Sequence, residues 1–170
     1  MDTIHRNTLY GLDYSQLADL CTAEGWPRFM AGQLARWLYK RHVEDPAQMT
    51  DLAAVRRERL AELFGRAFSA SVRESRSADG AKKYLFRTSE GHFIESAYIP
   101  DGERATLCVS SQAGCRMGCR FCATGRQGLQ QSLPTAEILN QIVSLPERDT
   151  LTNVVFMGMG EPLDNLENVV

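Results

Sequence analysis

AGCRMGCRFCATG, residues 113–125, sets Cys115, Cys119 and Cys122 within eight positions in the spacing C-x-x-x-C-x-x-C. Upstream of it, ATLCVSS (105–111) reads as a strand. Downstream, PTAEILNQIVSL (134–145) has helical spacing, with Thr135 as the expected cap and Ile138, Leu139, Ile142 and Leu145 facing inward. TNVVFMG (152–158) is a continuous apolar run, the pattern of a strand buried on both faces. MGEPLD (159–164) then leads to a helix start at Asp164. The order strand, loop, helix, strand, loop, helix is a βα repeat, as in a parallel barrel or an open α/β sheet.

The region before this repeat divides in two. Residues 1–66 read as three short amphipathic helices. Ser15 is expected to cap the first, which carries Leu17, Leu20 and Cys21 and ends at Gly25. Met30, Leu34, Trp37 and Leu38 follow Pro27 at helical spacing. Thr50 is expected to cap a third helix carrying Leu52, Val55, Leu60, Leu63 and Phe64, closed by Gly65. Trp37 and Cys21 are read as core. Residues 67–104 change to SVRESRS, KKYLFRT and HFIESAYI, separated by the turns ADG and SEG, a small antiparallel meander. PDGER (100–104) marks the expected boundary with the third region, 105–170.

Composition narrows the function classes. The chain has 170 residues, 44% hydrophobic, enough for a packed core. No apolar run approaches the length of a membrane span, and MDTIHRNTLYG lacks the apolar stretch of a secretory signal. The expected compartment is the cytoplasm, where clustered thiols bind metals or react rather than pair. A net charge of −2 does not mark a nucleic-acid binder. From 113 to 128, however, the only charges are Arg116, Arg120 and Arg126. They read either as holders of an anionic ligand or as solvated surface arginines.

Three close thiols admit three chemistries. Zinc wants a fourth ligand, and His5, His42 and His92 all lie far from the loop in sequence. A redox dithiol would use Cys119 and Cys122 and leave Cys115 idle. An iron–sulfur cluster takes cysteine thiolates, and with only three a four-iron cluster keeps one iron open to a substrate. The motif directly after the first strand of a βα repeat resembles the radical S-adenosylmethionine (SAM) signature, and Phe121 matches its aromatic position. MGMGEP (157–162), at the end of the second strand, is similar to the glycine-glycine-glutamate motif of that superfamily, with Met159 replacing one glycine.

The match narrows further. RATLCVSSQAGCRMGCRFCATG (104–125), GHFIESAYIP (91–100) and TNVVFMGMGEPLDNLENVV (152–170) closely resemble the RlmN family of dual-specificity RNA methyltransferases. LYGLDYSQLADL, GQLARWLYKRHVEDPAQMTDL and RRERLAELF resemble its N-terminal accessory domain, so the likeness covers nearly the whole chain. The resemblance implies an α/β fold: a helical RNA-binding accessory domain, a β meander, and the first βα units of a radical SAM partial TIM-like barrel. It implies methylation of carbon 2 of adenosine in 23S rRNA and tRNA through a methylated cysteine. A [4Fe-4S] cluster and SAM are the implied cofactors, a reductase such as flavodoxin the implied partner, and a monomer the implied state. By position, Cys115, Cys119 and Cys122 match the cluster ligands, and Gly160 and Glu161 match the SAM-contacting pair. Glu95 matches the proton acceptor at the adenine, and Cys108 the cysteine that resolves a protein–RNA adduct through a transient disulfide. Read from the residues alone, Glu95 is a surface carboxylate on a strand face shared with Phe93 and Ala97, and Cys108 a small buried apolar residue. The family's methyl-carrying cysteine lies beyond residue 170, so the 170 residues are expected to be a truncated part, inactive alone. A carbon-8 adenosine methyltransferase and a zinc-bearing RNA-binding module are the alternatives.

Overall fold

The computed structural model describes residues 8–43, 45–65 and 68–170. The chain forms two compact units that meet in sequence between Ala67 and Phe68.

The first unit is helical. α1 spans Tyr14–Ala23 and opens on a capping box: Asp13 accepts from the Gln16 N–H at 2.8 Å while Gln16 accepts from the Asp13 N–H at 2.9 Å. Asp13, not the expected Ser15, is therefore the cap, because its carboxylate takes the free amide first. α2 (Met30–Ala35) runs into a π-helical turn, Arg36–Lys40. α3 (Ala54–Leu63) follows Ala53 without a side-chain cap. Thr50 does not start it, since Asp45 and Pro46 first launch a short 3₁₀ turn, Pro46–Gln48, that delays the helix. Leu52 thus precedes α3, Val55 is exposed, and Leu60 is its one fully buried residue. Leu17, Cys21, Met30, Leu34, Trp37 and Leu38 are buried, which bears out Trp37 and Cys21 as core.

The second unit is built on a five-stranded sheet. β1 (Arg73–Arg76), β2 (Lys82–Arg87), β3 (Phe93–Asp101) and β4 (Arg104–Cys108) pair antiparallel in sequence order, the expected meander. The turn at 100–104 lies inside the β3–β4 hairpin, where Asp101 faces Arg104 and Ala97 faces Cys108. Meander and βα repeat therefore share one sheet.

After β4 the chain makes a second, two-stranded sheet from β5 (Gln112–Cys115) and β6 (Gly128–Ser132). The one-turn helix α4 (Ala123–Arg126) lies between them. α5 (Thr135–Val143) then returns the chain to β7 (Asn153–Val155), which pairs parallel with β4. A 3₁₀ turn at Pro162–Asn165 and α6 (Leu166–Val169) complete the unit. No helix among the described residues is long and apolar enough to cross a membrane.

Three expectations need correction. Thr135 is the first residue of α5, preceded by Pro134 with no side-chain cap. The inward face of α5 is half polar: Glu137, Asn140 and Gln141 are buried beside Ile138, while Leu139 and Ile142 are only half-buried. Gln141 accepts from the Ser96 hydroxyl (2.7 Å) and the Ser110 N–H (2.8 Å), and donates to the Ser110 carbonyl (2.8 Å). Buried amides are retained because all their bonds are made. β7 is likewise not buried on both faces. Among the described residues β4 is its one paired strand, and Asn153 and Val154 are exposed.

One face of the main sheet packs Tyr84, Phe86, Ile94 and Leu107 against Ile138 and Leu145. Glu147, just beyond α5, pairs with Lys82 and accepts from the Tyr84 hydroxyl at 2.7 Å. Burial alone would raise the Glu147 carboxyl pKa, but the hydrogen bonds from Lys82 and Tyr84 outweigh it and hold it below the ordinary value. A depressed carboxylate contributes stability above its unfolded-state pKa, and that contribution is lost as pH falls through the folded-state value. Glu147→Gln is expected to lower the urea midpoint at neutral pH and to flatten the acid limb of a midpoint-against-pH series. A parallel acid limb in the variant would contradict this.

Candidate cofactor site

The three cysteines of the motif sit on the β5–β6 hairpin. β5 is buried throughout, from Gln112 to Cys115 at its end. The hairpin closes tightly at Gly114, where a Cβ would lie 1.8 Å from the Gly128 carbonyl oxygen and φ is 74°. Beyond Cys115 the chain emerges: Cys119 is exposed and Cys122 half-buried. The Cys122 N–H donates to the Cys119 carbonyl at 3.0 Å. Cys122 is also the N-cap of α4, and hydrogen bonds to its sulfur, first from the Gly125 backbone and then from Thr124, lower its thiol pKa.

All five cysteines are free thiols, so no disulfide competes for the three. Among the described residues no group of three or more His, Cys, Asp or Glu side chains is arranged to hold a metal ion. What fits a cluster is the donor chemistry. The hairpin offers three unpaired thiols on one short segment, one of them biased toward thiolate, and no fourth protein donor of the kind structural zinc requires.

The second loop lies against the root of this hairpin. The Gly158 N–H donates to the Val109 carbonyl (3.1 Å), and the Ser111 and Gln112 N–H groups donate to the Met159 carbonyl (2.9 and 3.2 Å). The Ser110 hydroxyl accepts from the Met159 N–H at 2.8 Å. Asn165 then ties the following turn down, donating to the carbonyls of Ser111 and Leu133, both at 2.8 Å. Residues 157–161 and the cysteine hairpin are thus carried on the same segment, 109–112. Gly160 has a φ of 99°. The Glu161 carboxylate caps its own turn, accepting from the Leu163 N–H at 3.1 Å.

Glu95 and Cys108 come to one place. Ile94 and Ser96 point into the core, so Glu95 and Ala97 face the other way, and Ala97 lies directly across from Cys108. Glu95 and Cys108 therefore project from the same open face of the sheet. The Lys83 ammonium pairs with Glu95 at 2.9 Å, with both side chains half-exposed. Burial pushes the Cys108 thiol pKa up, against a smaller opposing hydrogen bond from the Met157 backbone. Of the three arginines, Arg116 pairs with Asp164 (2.8 Å) and Arg126 donates to the Arg120 carbonyl (3.2 Å).

Gln112, Ser110, Asp164 and Asn165 build the frame, and sequence reading missed them. Single polar residues in buried or loop segments give no periodic signal. The thiol environments make a chemical prediction. In metal-free protein at neutral pH, Cys122 is expected to react with iodoacetamide at least about ten times faster than Cys108 or Cys21, whose thiols are raised by burial. Peptide mass spectrometry over time gives the order, and equal rates would contradict it.

Two family models match the chain: the ribosomal RNA large subunit methyltransferase N-terminal domain over residues 7–65, and the radical SAM superfamily over 109–170. A relative from Bacteroides fragilis, named "Probable dual-specificity RNA methyltransferase RlmN", is 52% identical over 162 residues, 95% of this chain and 47% of the relative. One from Halorhodospira halophila, named "Dual-specificity RNA methyltransferase RlmN", is 45% identical over 95% of this chain and 46% of its own length. The crystal structure of a radical SAM methyltransferase from Sphaerobacter thermophilus superposes with a TM-score of 0.83 at 40% identity, covering 95% of this chain and 49% of that one. The chain spans about half the length of the curated relatives it matches. The radical SAM match over 109–170 implies a [4Fe-4S] cluster and SAM as cofactors. An N-terminal domain of the RlmN type leads into radical SAM strands, and near-half identity is sustained along almost the whole of this chain, which is thus similar to about half of an RlmN protein.

Proposed function

We propose that this chain forms the accessory domain and the cofactor-bearing first strands of a radical SAM methyltransferase that acts on carbon 2 of adenosine in 23S rRNA and tRNA. The observation that carries the reading is the joining of the cysteine hairpin and the 157–161 loop on one segment, 109–112, directly after β4. β4 and β7 are, in this reading, the first parallel strands of a partial barrel, with the site at their C-terminal ends.

Cys115, Cys119 and Cys122 would hold the cluster, which requires their side chains to turn toward one another from their present placement. Gly160 and Glu161 would receive SAM. When bound, the cluster and SAM would supply the electron, the methyl group and the hydrogen-abstracting chemistry that methylation of an electrophilic ring carbon requires. Glu95 would accept the proton from carbon 2 of adenine, with the Lys83 ammonium beside it at 2.9 Å. Cys108, its thiol pKa raised by burial, would attack the sulfur of the methyl-carrying cysteine in the protein–RNA adduct, forming a transient disulfide as that sulfur's bond to the methylene carbon breaks. The electron pair would stay on the carbon, which would take up a proton as the product's methyl group. Both residues project from one sheet face, as a shared substrate demands. The reading carries a flavodoxin-type electron donor, a monomeric enzyme and a cytoplasmic location.

The test is mass analysis of 23S rRNA and tRNA from cells lacking the complete gene, restored with wild type or Glu95→Gln. The expected result is 2-methyladenosine with wild type and at least about a hundredfold less with the variant, the scale of losing a positioned proton acceptor. A methyl on carbon 8, or RNA unaltered by the gene, would overturn the reading.

A further inference from the structure

Gln112 is fully buried, yet every polar atom of its side chain is used, and the bonds run to the 161–164 turn and to the end of β6. Its carbonyl oxygen accepts from the Glu161 N–H at 3.0 Å. Its amide donates to Asp164 Oδ2 at 2.8 Å and to the Ser132 hydroxyl at 3.3 Å. The same oxygen, Asp164 Oδ2, accepts from Arg116 Nε at 2.8 Å. Gln112 opens β5 and Arg116 follows Cys115 at its end, so one carboxylate oxygen grips the cysteine strand from both sides. A leucine or methionine would fill the same volume with no polar atom to satisfy. The amide is explained by what it joins.

We infer that Gln112, acting with Asp164 and Arg116, is a positioning clamp that fixes the 157–161 loop to the cysteine hairpin, so that ordering the hairpin also orders the backbone meant for SAM. Three features make the clamp tight. Gly160 brings its backbone so close that a Cβ would sit 2.6 Å from Gln112 Cβ. The Glu161 amide, adjacent to that glycine, donates to the Gln112 side chain, its one side-chain partner among the described residues. The Asp164 carboxylate is only one-fifth exposed, so its bond to the buried amide is weakly screened.

The inference rests on the proposed cofactor roles only in its second half, and the test separates the two. Amide hydrogen exchange is followed by mass spectrometry in the metal-free full-length protein, comparing wild type with Gln112→Met and Asp164→Ala. Both variants are expected to speed exchange at least about fivefold in peptides covering 157–164 and 113–122, and to leave peptides of β2 and β3 unchanged. Asp164→Ala alters a partly exposed turn, so it reports even if Gln112→Met does not fold. In reconstituted protein, Gln112→Met is expected to keep its iron and to bind SAM about tenfold more weakly, the loss of one hydrogen bond's worth of order. Exchange unchanged in 157–164, or raised equally across the whole sheet, overturns the clamp. Wild-type protein that takes up no cluster or ignores SAM, with the exchange pattern as expected, overturns the functional reading and leaves the clamp standing.

Discussion

Gly114→Ala is expected to leave the full-length protein without its cluster. Anaerobic reconstitution should give less than about a tenth of the wild-type iron and acid-labile sulfide, and thermal unfolding should begin earlier. The cause is geometric. A methyl on residue 114 would lie 1.8 Å from the Gly128 carbonyl oxygen, well inside any tolerable contact, and 3.0 Å from the Gly128 carbonyl carbon. The φ of 74° adds a left-handed conformation that costs alanine about 1–2 kcal/mol. Relief requires β5 to part from β6 at the bulge between Ala113 and Gly114. That separation frees Cys115 from the strand end and removes the base on which Cys119 and Cys122 are carried. Gly118→Ala is the control: it has similar φ but meets nothing closer than 4.0 Å, so it should keep most of its iron. Equal iron in Gly114→Ala and wild type would show that the hairpin does not hold the cysteines in place.

Gly160→Ala is expected to produce the opposite dissociation: iron retained, SAM binding weakened about a hundredfold. Here a Cβ would meet Gln112 Cβ at 2.6 Å, the Gln112 nitrogen at 2.7 Å and the Ser111 hydroxyl at 2.8 Å, with φ at 99°. Two of these are rigid parts of the β5 root, so the 157–161 loop must move instead. The move breaks the short bonds from Ser111 and Gln112 to the Met159 carbonyl and the Glu161 contact with Gln112. Losing two or more such bonds costs about 2–3 kcal/mol, the scale of a hundredfold change. Iron and sulfide assays beside equilibrium dialysis with labelled SAM measure both arms. Loss of iron together with SAM would mean that the two loops cannot be separated as assigned.

The contrast between what was legible and what was not follows from which signals repeat. The meander was legible because β2 and β3 alternate and their turns carry glycines. The helical region was legible through its apolar spacing, though not through its caps. Asp13 and the Asp45–Pro46 turn outcompeted the hydroxyl residues expected to start helices. The β5–β6 hairpin left no trace, because a four-residue strand with every residue buried shows no alternation. The polar face of α5 was invisible for a related reason. Apolar periodicity cannot show Glu137, Asn140 and Gln141 turned inward, since their burial depends on partners 31 to 71 positions away, Ser110 and Ser69 among them. β7 misled in the other direction: its apolar run fits a strand buried on both faces, yet Asn153 and Val154 are exposed and β4 is its one paired strand among the described residues. At the site, spacing placed the cysteines on one loop and the glycine motif on another. Their joining through Gln112 and Asp164 is a tertiary fact carried by single residues.

The most direct measurement is electron paramagnetic resonance of the reduced, anaerobically reconstituted full-length protein, recorded before and after SAM is added. A [4Fe-4S] signal that changes shape on addition of SAM, and disappears in Cys119→Ala, is the predicted result. Protein that takes up zinc in place of iron, or an iron–sulfur signal unmoved by SAM, would contradict the assignment of Cys115, Cys119 and Cys122 as holders of a cluster with one open iron.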